Sequence, residues 1–71
     1  MGRRTFSDTR DEGWTVEERL TSQPELWFTS SRGERRVVTS YPRHWQGLAD
    51  EALAKLCEEA VVVEPPGEPA P

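Results

Sequence analysis

The sequence predicts an α+β fold: a four-stranded antiparallel β-meander with one C-terminal α-helix packed on one face. Three observations carry that expectation. Apolar and polar residues alternate with period two over residues 14–17. Two β-prone runs, residues 26–30 and 35–40, flank a turn that contains Gly33. From Leu48 onward the apolar spacing changes to steps of three and one, which marks one stripe of a helix.

The elements follow in chain order. Phe6 precedes the turn-rich stretch Asp8-Thr9-Arg10-Asp11-Glu12-Gly13, and Trp14 and Val16 follow it. A first hairpin would place all three apolar residues on one buried face. Pro24 interrupts the polar connection after Leu20, because it has no backbone donor. Leu26-Trp27-Phe28-Thr29-Ser30 and Arg35-Arg36-Val37-Val38-Thr39-Ser40 form the second hairpin. A two-residue loop at Arg32-Gly33 would set Phe28 opposite Val37 and Trp27 opposite Val38.

Pro42 ends that strand, and a corner follows through His44 and Trp45. Ala49, Ala52, Leu53, Leu56, Cys57 and Ala60 then line the helix stripe. Asp50 and Glu51 suit its amino end, whereas Glu58 and Glu59 oppose the dipole at its carboxyl end, so that end should fray. Val61-Val62-Val63 continues either as a last helical turn or as a short extended piece. The expected organisation is a flexible stretch over residues 1–4, one domain over 5–63, and a disordered, acidic, Pro-rich tail over 64–71. The expected core is Phe6, Trp14, Val16, Leu26, Phe28, Val37, Leu48, Leu53, Leu56 and Cys57, closed by Trp45.

Composition narrows the function classes. A chain of 71 residues has room for one small domain and no large cleft. Its 34% hydrophobic content is low, but three Trp, two Phe and one Tyr each bury a large area. One Cys and one His supply neither an intrachain disulfide nor the usual zinc ligand set, so no metal or cofactor is expected. No apolar run approaches a bilayer-spanning length and no signal peptide opens the chain, which suggests a cytoplasmic protein with no membrane partner. Charge is uneven. Residues 1–43 hold eight Arg against seven acids, whereas residues 44–71 hold Lys55 against six.

Phe6-x-Asp8, Trp14-x-Val16, Leu26-x-Phe28, Gly33-x-Arg35-Arg36, Pro42-x-x-Trp45 and Leu48-x-Asp50-x-x-Leu53-x-x-Leu56 together resemble a group of short uncharacterised bacterial proteins. The resemblance covers residues 5–60 and implies the same small domain. It implies nothing about chemistry.

Catalysis needs a nucleophile, a base and an orienting group held together. Cys57 falls on the apolar helix stripe, where a thiol is inert, and His44 stands alone in a corner. The adjacent acid pairs, such as Glu17 with Glu18, diverge on a strand or a helix and read as solvated charge. The chain is therefore expected not to be an enzyme.

What stands out is the second hairpin. With Leu26 and Phe28 turned to the helix, Trp27 would face away beside Thr29, Arg36 and Val38, with Arg32 and Arg35 nearby. That set reads as a binding patch for another protein, in a small regulatory or accessory module. The competing reading is plain packing, with Trp27 flat beneath the stem of Arg36. The alternative function is single-stranded RNA or DNA binding through the same Arg residues, which a sequence pI near 4.9 disfavours. A homodimer, through a sheet edge or the uncovered face, is also in keeping with a small open sheet.

Overall fold

The computed structural model describes residues 3–67. Among the described residues, five strands form one antiparallel sheet in sequence order: β1 (Arg3–Ser7), β2 (Gly13–Leu20), β3 (Pro24–Ser30), β4 (Arg35–Val38) and β5 (Val61–Glu64). A single 3-10 turn, Trp45–Gly47, and the helix α1 (Asp50–Glu59) lie between β4 and β5.

The α+β class with an antiparallel meander and one helix is as expected, but the sheet has a fifth strand and the helix is not the last element. Ala60 leaves the helix with extended torsions, φ −72° and ψ 151°. Three consecutive β-branched valines then favour a pleated conformation over another helical turn. The outer segments differ from expectation too. β1 begins at Arg3, inside the stretch expected to be flexible. At the other end Glu64 belongs to β5, Pro66 is half-buried and the Gly67 amide donates to the Arg32 carbonyl at 2.9 Å. The rest of the expected tail, residues 68–71, and residues 1–2 lie outside the described residues.

Two of the hairpin loops share one device. In the first, the Asp8 amide donates to the Glu12 carbonyl and the Asp11 amide to the Asp8 carbonyl, both at 3.0 Å. In the third, the Ser30 amide donates to the Glu34 carbonyl at 2.8 Å and the Gly33 amide to the Ser30 carbonyl at 3.0 Å. The leading side chain accepts two amides in each case: Asp8 Oδ1 from Arg10 and Glu12, Ser30 Oγ from Arg32 and Glu34. Both loops place one residue in the left-handed region, Asp11 at φ 65° and Gly33 at φ 89°.

That geometry makes the third hairpin a three-residue loop, Ser31-Arg32-Gly33, rather than the expected two-residue one. The register slips by one. Phe28 faces Arg36, and Trp27 faces Val37. Since side chains alternate across a strand, one step exchanges the two faces of β4. Arg36 and Val38 turn toward the helix, and Val37, expected in the core, turns away from it.

The core lies between α1 and one side of the sheet. Phe6, Trp14, Val16, Leu26, Phe28, Trp45, Leu53, Ala54, Cys57 and Ala60 are buried, with Val38, Tyr41, Leu48 and Leu56 packed against them. The Phe6 and Phe28 rings meet edge to face at 6.2 Å between centroids. Each fully buried aliphatic or aromatic side chain contributes about 1.5–3 kcal/mol.

Successive register pairs place Arg4, Val16, Phe28 and Arg36 in one row across the covered face. The row runs on to Val62 in β5, and each of the two arginines holds one end of the helical segment. Arg4 donates to the Gln46 carbonyl at 2.8 Å, to the Leu48 carbonyl, and to Asp50 Oδ1 at 2.9 Å. Arg36 donates to the Cys57 carbonyl at 2.8 Å and pairs with Glu34 at 2.6 Å. The carboxyl end of α1 has no basic residue in its last turn, yet it receives a cation from β4. The fraying expected from Glu58 and Glu59 is opposed from the sheet.

Candidate interaction face

The side of the sheet turned away from α1 is built by the other half of the strand alternation. One register row runs Arg3, Glu17, Trp27, Val37, Val61, and the next runs Thr5, Thr15, Thr29, Arg35, Glu64. Arg19 and Glu25 face each other one step beyond. Trp27 is half-buried at the centre of this surface. The Arg19 guanidinium stands over its ring at 4.6 Å from the centroid, and the Arg35 guanidinium at 4.8 Å. The indole N–H donates to Glu25 Oε1 at 3.2 Å. Arg3 pairs loosely with Glu17 at 3.7 Å.

Of the residues expected to form the patch, Trp27, Thr29 and Arg35 come together on this face. Arg32 is exposed in the loop that follows β3. Arg36 and Val38 do not belong to the patch. The one-residue slip puts Arg36 over the Trp14 ring, 4.9 Å from its centroid, and Val38 against the core. Their places are taken by Arg19 and Val37. Arg19 was missed because its approach to Trp27 is diagonal across the β2–β3 pair, and that register depends on the loop 21–23. The signal was the even spacing of Thr15, Glu17 and Arg19, which puts them on one side of β2.

Electrostatically the face is balanced, with Arg3, Arg19 and Arg35 against Glu17, Glu25 and Glu64 in neighbouring register positions. A groove lined in part by Arg3, Thr5, Thr15, Glu17, Thr29 and Ser31 is rich in hydroxyls.

The covered side carries a second polar cluster. The Trp14 indole N–H donates to Asp8 Oδ2 at 3.0 Å. Burial would raise the Asp8 carboxyl, but the hydrogen bonds from Trp14, Glu12 and Arg10 outweigh it and hold its pKa below the ordinary value. Burial also works to lower the Arg36 pKa, and the Glu34 carboxylate reverses that and raises it. These groups satisfy one another, so they act as structure.

The two residues weighed for nucleophilic chemistry lie apart in role. Cys57 is 3% exposed among core side chains, and burial pushes its thiol up to about 11. His44 is exposed before the 3-10 turn. Among the described residues no group of three or more His, Cys, Asp and Glu side chains is placed to hold a metal ion. Among them, too, no helix is long and apolar enough to cross a membrane.

No family model, no curated protein and no solved structure matches this chain.

Proposed function

We propose that this chain is a small non-catalytic binding module, cytoplasmic and regulatory in role, that docks another protein on the open face of its sheet. The supporting observation is the Trp27 indole lying beneath the guanidinium groups of Arg19 and Arg35 on the side away from the helix. A guanidinium stacked on a ring leaves its in-plane N–H donors free for carboxylates. Val37 and Val61 extend the same register row as apolar surface. The partner that suits this arrangement offers an acidic side chain next to an apolar one. Trp and Arg are also the residue types that dominate binding energy in measured interfaces.

Affinity capture from native cells with mass-spectrometric identification tests the reading. Trp27→Ala combined with Arg35→Ala should abolish capture of the wild-type partner while a denaturant melt shifts by no more than about 1 kcal/mol. A double variant that keeps the partner rules out the face. Arg36→Ala is not a test of this surface, since Arg36 holds the helix from the other side.

Single-stranded nucleic acid is the competing partner, favoured by an aromatic and three arginines on one sheet face. The three acids interleaved with them and the net charge of −4 weigh against it. Retention on single-stranded oligonucleotides at low salt, lost linearly in log–log form as salt rises, would replace the protein reading.

A further inference from the structure

The geometry points to a twofold dimer in which β5 of one chain pairs antiparallel with β5 of a second copy, joining two sheets into one. The two edges of the sheet are unlike. At β1, Arg3 and Arg4 carry charge, and Arg4 reaches across to Gln46, Leu48 and Asp50. Charge on an edge strand is a common guard against pairing. At β5 the residues are Val61, Val62 and Val63, 68%, 50% and 52% exposed, with a strand on one side only among the described residues. Their unpaired backbone groups are a template for another strand.

A second copy suits this edge for reasons the register supplies. Val61 shares the open side with Val37 and Trp27, and Val62 shares the helix side with Arg36. A twofold axis through Val62 sets Val62 opposite its own copy and Val61 opposite Val63 of the other chain. The valine pairs are β-branched on both sides, which suits a pleated ladder. Glu64 stays beside Arg35 on its own sheet, at the opposite end of the new ladder from its counterpart in the other copy, so no like charges meet. Pro65 and Pro66 follow at once and lack amide donors, which ends the new ladder where the charge begins. The register shift between Arg35 and Arg36 bends β5 and limits the pairing to these few residues. The contact is accordingly small, in the class of weak, reversible dimers.

The dimer shares Val61 with the open face but uses none of Arg19, Trp27 and Arg35, and the experiment separates the two. Sedimentation equilibrium from micromolar to millimolar concentration should show reversible monomer and dimer. Added salt should leave association unchanged or strengthen it, since two chains of charge −4 repel. Val61→Lys with Val63→Lys puts like charges opposite each other across the axis and should weaken association at least about tenfold, with the circular dichroism spectrum kept. Val62→Cys should cross-link to a disulfide dimer on mild oxidation, and this variant decides the matter if the lysine variant fails to fold. Trp27→Ala with Arg35→Ala should leave the dimer intact. A chain that stays monomeric throughout, a dimer that survives the lysines, an association that salt weakens, or a Val62→Cys protein that does not cross-link overturns the edge pairing.

Discussion

Single residues set the loops of this sheet, and the left-handed positions show the cost most directly. Asp11 and Gly33 occupy equivalent places in two similar loops, at φ 65° and 89°. An L side chain there crowds its own backbone, and only Gly escapes. Asp11→Gly should therefore raise stability by up to about 1 kcal/mol, and Gly33→Ala should lower it by about 1–2 kcal/mol, both read from denaturant midpoints. A Cβ on Gly33 would meet nothing nearer than the Gly67 amide nitrogen at 3.8 Å, so that loss measures the backbone alone. Tyr41 provides a second residue-scale test. Burial first, and then its hydrogen bond to Glu18 at 2.6 Å, raise the phenol to about 12. A pKa raised on folding means stability that is present below pH 10 and is lost as pH climbs toward 12. Ultraviolet titration of this only tyrosine should give a midpoint near 12, and a midpoint near 10 would show the phenol free. Asp8 has the opposite sign. Its lowered pKa contributes stability above the ordinary carboxylate range, which drains away as acid protonates it.

At the level of elements, the hairpin loops decide which side of a strand means what. A leading Ser30 hydroxyl that accepts two amides stabilises a three-residue loop, and this one extra residue turned Arg36 inward. Once inside, Arg36 supplies α1 with the cation that its own last turn lacks. Arg36→Met keeps much of the apolar stem but deletes the charge, leaving the Glu34 carboxylate and the Cys57 carbonyl without their donor. The expected loss is about 1–3 kcal/mol, with the largest rise in amide exchange at the last turn of α1. Equal protection in variant and wild type would mean that the helix end holds itself. Glu34→Gln should cost less, because a neutral amide still accepts from Arg36.

The whole molecule depends on one thin layer of burial between α1 and the sheet. Phe28 and Leu53 are fully buried in it, from opposite sides. Truncating either to Ala should cost about 2–5 kcal/mol, comparable with the total stability of a domain this small. Thermal melts should then show a largely unfolded protein at ordinary temperature. Wild-type melting of Phe28→Ala would mean that the covered face has been misidentified. Cys57, in the same layer, should resist thiol reagents until the chain is denatured, since its raised pKa and burial both suppress the thiolate.

By itself the sequence determined the class of fold, most of the buried residues, and the side of β3 on which Trp27 stands. Those features follow from periodicity, and a two-residue or 3.6-residue repeat is visible in any run long enough to count. Tertiary structure decided what periodicity leaves open. Three valines after a helix favour a pleated conformation but carry no rhythm that says where they pair, so the free flank of β4 made them a fifth strand. Whether Arg35 or Arg36 joins Trp27 turned on one loop residue, because alternation specifies two faces and the register alone says which is which. Arg19 reached the indole only through the pairing of β2 with β3, a contact between residues eight apart in sequence that no local pattern encodes.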